Sequence, residues 1–288
     1  METPRDTEAK TILDAGIRLA AGKVIPNPNP ESRAFVLVPE DHILEYLEQS
    51  PLPMRKKGII KLDDCRSFVK FFNESNAEGQ KAIYASLDPL KFTGILNDHI
   101  PTENPVGKND QDGANWRDFG CSYIPTFSKE WNVWTGKNRQ PFEGNESFAV
   151  WLEDNLPDVI DPPNSRLLEI ALNFRVNSNA SFSNVKRLQD GNTDLTYSNA
   201  VEGSSSISSG KVSIPETIRI SIPVFQGRNA QAYEIEAKFR YTLTGSVLKI
   251  RYELVRPHKV LEQAFNDMVD QIEADTKQDV LYGLPDAK

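Results

Sequence analysis

The clearest patterning of apolar and polar positions lies in the last third of the chain. Ile218, Ile220 and Ile222 alternate with Thr217, Arg219 and Ser221. Tyr233, Ile235, Ala237, Phe239, Tyr241 and Leu243 alternate with Glu234, Glu236, Lys238, Arg240 and Thr242. After Thr244-Gly245-Ser246, Leu248, Ile250, Tyr252 and Leu254 fall on one side and Lys249, Arg251 and Glu253 on the other. A period of two, with one apolar and one wet face, predicts an antiparallel β-meander. Mixed charges facing one another across its wet face help to fix the register. Asp190-Gly191-Asn192 predicts a further tight hairpin. Pro257 suits the first turn of a helix. Behind it, Leu261, Ala264, Phe265, Met268 and Ile272 recur at intervals of three and four. Such a stripe is the buried face of an amphipathic helix, expected to cover the inner face of the meander.

The pattern upstream is more broken. Residues 1–20 read as a helix carrying Ile12, Leu13, Ile17 and Ala20 on one side. The Pro-Asn run within Val24–Glu31 predicts an extended linker, because proline suits neither a helix interior nor a central strand. Phe35–Val38 reads as a strand, Pro39–Gln49 as a short helix and Gly58–Leu62 as a strand. Asp63 is placed to cap a helix bearing Phe68, Val69, Phe71 and Phe72. Lys81–Leu87 and Lys91–Asn97 flank Asp88-Pro89-Leu90, a hairpin. Pro101–Asn115 is a long polar loop, and Trp116–Phe127 resumes as a strand. Ser128 is placed to cap a helix with Trp131 and Trp134, stopped by Gly136. Asn145 is placed to cap the next, with Phe148, Trp151 and Leu152. Ser165–Phe174 fits both a helix and a strand, with helix preferred. Gly203–Gly210 reads as a flexible Gly-Ser loop. The expected fold class is α+β: a mixed α/β region, then an antiparallel meander closed by an amphipathic helix. The expected division is an arm over 1–31, a mixed region over 32–163 and a sheet-plus-helix region over 164–288, with the last two as one continuous domain the alternative.

Composition narrows the setting. With 288 residues, 39% hydrophobic, the chain is long enough to bury a core without disulfides or metals. Cys65 and Cys121 sit in unrelated contexts, so reduced, buried thiols and a cytoplasmic setting are expected. No apolar run approaches the roughly 20 residues of a membrane span, and the first residues do not resemble a signal peptide. A net charge of −8 lowers the expectation of phosphate-driven nucleic-acid binding and raises that of basic partners.

Candidate chemistry is sparse. His42, His99 and His258 form no metal-ligand pair, so neither metal nor cofactor is expected. No nucleophile elbow, phosphate loop or dinucleotide fingerprint occurs. Asn97-Asp98-His99 places an acid and a histidine at a strand end, where catalytic residues often lie, although Asn and Asp are equally common turn formers. Arg55, Lys56 and Lys57 in a basic turn, with Trp116 and its neighbour Arg117, are candidates for contact with nucleic acid or a protein partner. The Trp116, Trp131, Trp134 and Trp151 group offers stacking surfaces, but helical spacing favours core. Arg256, His258 and Lys259 gather at a helix N-terminus, an anion-binding candidate. The competing account there is an internal acidic partner such as Glu253 or Glu262.

Several of these segments also carry a resemblance. Trp116-Arg117-Asp118, Glu130 to Trp134 and Phe148 to Asn155, followed by Ile222 to Phe225, Phe239-Arg240-Tyr241 and Tyr252 to His258, resemble the YfdQ-like family of phage and prophage proteins of unknown function. The resemblance spans roughly residues 35–280 and implies a phage origin and a bacterial cytoplasm, without supplying a reaction. Two functions are expected from these readings, ahead of a third and least favoured one, a hydrolase built around Asp98 and His99. One is a non-enzymatic binding protein, homo-oligomeric, that captures a host protein or a small anionic signal. The other, less favoured, is an accessory of phage DNA replication or recombination that touches single-stranded DNA.

Overall fold

A computed structural model describes residues 23–25, 35–37, 44–46, 56–76, 80–100, 113, 115–176, 181–189, 192–200, 207–227, 230–244 and 247–285. The chain divides into two compact units, 1–59 and 60–288. In the first, β1 (Lys23–Ile25), β2 (Phe35–Leu37) and β3 (Leu44–Tyr46) form an antiparallel sheet in the order β1-β2-β3. Two expectations are corrected here. Lys23–Ile25 is strand where the linker was expected to begin, and Leu44–Tyr46 is strand within the expected helix Pro39–Gln49. Leu44 and Tyr46 flank Glu45 at a period of two, and pairing with β2 overrides helix propensity. The expected helix over 1–20 and the Pro-Asn run 26–30 lie outside the described residues.

The second unit opens with the end of β4 (Gly58–Leu62), inside which the division falls. Helix α1 (Cys65–Glu74) follows, capped by Asp64 rather than Asp63: its carboxylate accepts from the Ser67 amide at 2.8 Å. β5 (Gln80–Leu87) and β6 (Leu90–Asp98) form the expected hairpin, and β7 (Phe119–Tyr123) pairs with β6. The strand expected over Trp116–Phe127 shrinks to these five residues because Pro125 lacks a ladder donor; Phe127 instead bridges Phe225. Gly94 of β6 lies beneath α1. A Cβ there would meet the Phe72 ring at 2.8 Å, so glycine lets the helix sit directly on the sheet.

Helix α2 (Lys129–Lys137) starts as expected, the Ser128 hydroxyl accepting from the Trp131 amide at 2.9 Å. α3 (Asn145–Asp154) is capped by Gly144 at φ 93°, so Asn145 is the first helical residue and not the cap. β8 (Val159–Asp161) and α4 (Asn164–Val176) follow, resolving the ambiguous Ser165–Phe174 as helix. β9 (Ser181–Arg187), β10 (Thr193–Ala200) and β11 (Ile207–Ile214) form a three-stranded antiparallel sheet. β9 and β10 flank the expected Asp190–Asn192 turn, of which Asp190 and Gly191 lie outside the described residues. Ile207–Gly210 belongs to β11 and not to a flexible loop.

The meander is as its alternation predicts. β12 (Thr217–Pro223), β13 (Ala232–Thr244) and β14 (Val247–Leu254) pair antiparallel, with β8 at the edge, in the order β14-β13-β12-β8. The opposite edge is covered: the Arg139 and Phe142 amides donate to the Tyr252 and Ile250 carbonyls, and Asn138 Oδ1 accepts from the Leu254 amide. α5 (Pro257–Thr276) follows, and β15 (Val280–Tyr282) returns to pair parallel with β5, giving the order β15-β5-β6-β7-β4. The fold class is α+β. No helix among the described residues is long and apolar enough to cross a membrane.

Two hydrophobic cores result. One lies between the meander and helices α2 to α4, around Trp134, Phe148, Leu167 and Tyr252. The other lies between α1 and the five-stranded sheet, around Phe68, Phe72, Phe92 and Leu96. The stripe of α5 was expected on the meander, and here the expectation needs correction. Ala264 packs into the meander core, with Val260 and Leu261 against it. Phe265, Val269 and Ile272 are buried in the other core, so α5 belongs to both.

Candidate functional site

The strand-end residues converge. Asn97 and Asp98 close β6, both buried. Tyr84 on β5 donates its hydroxyl to Asp98 Oδ2 at 2.9 Å, and the His99 amide donates to Oδ1 at 2.7 Å. From the other side of the loop, Arg117, at φ 54°, brings Nε to 2.9 Å from Asp98 Oδ1 as an ion pair, out of line for a hydrogen bond. Its Nη2 donates to the Tyr84 hydroxyl at 3.2 Å. Asn97 donates to Asp118 and accepts from the Phe119 amide. Burial, and then the hydrogen bond and charge of Asp98, raise the Tyr84 phenol above its ordinary range.

This arrangement does not couple the acid to the histidine. Asp98 binds the His99 backbone and not its ring, and the ring Nδ1 accepts from the Asn115 amide at 2.9 Å. In a triad-type site a carboxylate orients the imidazole through its ring N–H; here both groups fasten the ends of the 99–118 segment. Tyr84, absent from the sequence reading, is the hinge of the cluster. Its only signal was one aromatic side chain on a strand adjacent to Asp98's.

The other candidates are scattered. Arg256 is the N-cap residue of α5, in the left-handed region at φ 49° and ψ 50°. Arg256 and His258 are exposed, and Lys259 donates to Glu262 at 2.6 Å. The internal acids expected to hold Arg256 are taken elsewhere: Glu262 by Lys259, Glu253 by Arg240 and Arg251. Arg256→Ala is therefore expected to change stability by no more than about 0.5 kcal/mol, as at an ordinary surface position. A thermal melt checks this, and a drop of several degrees would reveal an unrecognised structural role. Lys56 and Lys57 are exposed, and Arg55 lies outside the described residues. Trp131 and Trp134 are buried and Trp151 half-buried in the meander core, while Trp116 is 49% exposed.

A groove of about 800 Å³ opens elsewhere in the second unit. Four segments far apart in sequence build it. The first turn of α1 contributes Asp64, Cys65 and Arg66. The β12–β13 connection contributes Phe225, Gln226 and Gln231, with Tyr233 beyond. One face of α5 contributes Ala264, Asp267, Met268, Gln271 and Asp275, spaced at three, four and seven as a helical face requires. Tyr123 of β7 lines the groove as well. The Tyr233 hydroxyl donates to Asp267 Oδ2 at 2.8 Å, and burial with that bond raises its phenol far above the ordinary range.

Burial, assisted by Asp275 and Asp64, pushes the Cys65 thiol up to about 11. Burial pushes Cys121 and Tyr123 up to about 12. These acids are harder to ionise in the folded than in the unfolded chain. Their contribution is therefore complete below the ordinary thiol range and is lost as pH rises through the folded values. Stability is expected to decline from about pH 9 towards pH 12, with both thiols unreactive at pH 8 until the chain unfolds. Denaturant melts across alkaline pH with thiol labelling check this; rapid labelling of native Cys65 would contradict it.

Against family models, residues 7–285 match a family described as an uncharacterized conserved protein, DUF2303. No curated protein and no solved structure matches the chain.

Proposed function

The chain belongs to the DUF2303 family of uncharacterized conserved proteins, and we propose that within it this protein is a non-enzymatic binding protein of phage or prophage origin that captures a host factor in the bacterial cytoplasm. The groove carries this reading. It is concave, mixed polar and aromatic, and set on rigid elements from both cores, the usual setting of a recognition site. The uncoupled Asp98 and His99 favour binding over chemistry. The phage setting rests on the resemblance alone.

A small anionic signal at Arg256 and His258 is the other form of this reading, supported by their exposure at the N-terminus of a 20-residue helix. The second function, an accessory contacting single-stranded DNA, draws on exposed Trp116, Lys56 and Lys57. With three tryptophans committed to the core, its stacking platform is reduced to one side chain. Homo-oligomerisation belongs to the same proposal.

Native mass spectrometry of the protein purified from its host separates the cases. A stoichiometric protein partner is expected. A co-purified nucleotide would favour the anion form, bound DNA would favour the second function, and the absence of any bound species would defeat the proposal.

A further inference from the structure

Four observations concern what the groove holds. The first is its charge. Asp64, Asp267 and Asp275 line it against one cation among the described lining residues, Arg66. Asp64 is committed to capping α1, accepting from the Ser67 amide at 2.8 Å and the Ser67 hydroxyl at 2.7 Å, and it lies beside Arg66. Asp267 spends one oxygen on Tyr233, and the Asp275 carboxylate has no partner among the described residues. Among the described residues neither the Asp267 nor the Asp275 carboxylate has a cationic partner, and an anionic or nucleic-acid occupant would meet them as like charges.

The second is a polar group without a bond. Tyr123 is only 3% exposed, yet its hydroxyl has no hydrogen-bond partner among the described residues. Among the described residues the fully enclosed side-chain atoms without a hydrogen bond are Thr93 Oγ1 and Arg117 Nε, so the Tyr123 hydroxyl is not sealed in; it reaches the groove that Tyr123 lines, beside Cys65 and Asp64. Facing the groove with no bond within the described protein, that hydroxyl is free to accept from a ligand N–H.

The third is spacing. Asp267 and Asp275 lie on one helix, separated by about 12 Å along its axis at 1.5 Å per residue. An extended chain covers about that distance in four residues. The fourth is the remaining chemistry. Gln226, Gln231 and Gln271 line the groove with no side-chain bond to other described residues. Their amides both donate and accept, which suits peptide groups; a simple polyamine has no acceptor for their N–H groups.

Resting on the reading of this chain as a binding protein, we propose that the groove takes an extended, basic segment of the partner polypeptide, with two Lys or Arg side chains four residues apart on Asp267 and Asp275. Tyr123 accepts from one of these cations, and the glutamines meet the segment's backbone. Tyr233 fixes the Asp267 carboxylate before the segment arrives, so little order is lost on binding.

Fluorescence anisotropy on the full chain tests this. The probe is a labelled peptide with two lysines four residues apart in a glycine-serine background, the controls its glutamate counterpart and spermidine. The expected result is saturable, salt-sensitive binding of the lysine peptide only. Asp275→Asn should weaken it about tenfold, the typical scale for losing one close charge pair, and Tyr123→Phe about threefold. Both variants should melt as wild type, since neither side chain holds a hydrogen bond to another described residue. No saturable binding, equal binding of the glutamate peptide, or indifference to Asp275→Asn would overturn the proposal. Equally tight binding of spermidine would overturn it in favour of a small polycation. A wild-type protein that co-purifies with a host protein but ignores the lysine peptide refutes the occupant and leaves the binding reading standing; one that co-purifies with nothing refutes the reading itself.

Discussion

Trp134→Ala is expected to unfold the meander core or leave it barely folded at 25 °C. Trp134 is fully buried, with its ring edge-on to Trp151 at 4.7 Å and to Tyr252 at 5.3 Å. Truncating a buried tryptophan costs about 3–5 kcal/mol, a large share of the roughly 5–15 kcal/mol that holds a typical domain together. Two polar consequences add to this. The indole N–H donates to Asp158 Oδ2 at 2.7 Å, and burial already raises that carboxyl despite the bond. Without the indole, Asp158 keeps its burial and loses its donor. Tyr252 donates to the Trp134 carbonyl at 2.6 Å, and the cavity frees its ring to move. Trp134→Phe keeps most of the ring and loses the N–H, so its cost should be much smaller. Urea titration of the two variants checks the ranking; equal losses would show that the hydrogen bond, not the packing, dominates.

Phe265→Ala is expected to cost about 3–5 kcal/mol as well, and its value lies in where the loss appears. Phe265 is 2% exposed and packs on Phe92 at 5.3 Å in the five-stranded-sheet core. Trp131, Trp134 and Trp151 lie in the other core. Because α5 supplies Ala264 to one core and Phe265, Val269 and Ile272 to the other, the two should melt together. Tryptophan fluorescence and far-ultraviolet circular dichroism should therefore shift to the same lower urea midpoint. A tryptophan transition that stays at the wild-type midpoint would show that the cores unfold separately.

The same helix shows what the chain's pattern can and cannot convey. A stripe at intervals of three and four states that one face is buried, not what buries it. Leu261, Ala264, Phe265, Met268 and Ile272 predict α5 and its orientation about its own axis, but the partition between two cores depends on tertiary contacts that leave no periodicity. The meander was legible because alternation, a turn and a return strand fix both pairing and face. Leu44–Tyr46 was misread because three residues are too few to distinguish periods. β15 was not anticipated, since Val280–Tyr282 is a strand only by pairing with β5, nearly two hundred residues earlier.

Of the sites, the strand-end cluster was half legible. Asn97-Asp98-His99 and Arg117-Asp118 each stand out as polar groups, but only the β6–β7 pairing brings them together, and their bonding reverses the chemistry an acid and a histidine suggest. The groove was illegible because it joins the first turn of α1, the β12–β13 connection and α5. One trace exists in the sequence: Asp267, Gln271 and Asp275 run at helical spacing beside the apolar stripe, a polar row adjoining a buried face. Such rows usually mean solvent, and only the cavity over this one sets it apart.

The claim that this protein acts by holding a partner in that groove is tested most directly by filling it. Gln271 is exposed on the groove face of α5, and its side chain holds no bond to another described residue, so Gln271→Trp should occupy the space without disturbing either core. Wild type and variant are purified in parallel from the host, and the partner recovered per protomer is measured by native mass. The account predicts an unchanged melting temperature and loss of the partner in the variant; a variant that folds normally and retains its partner in full would contradict it.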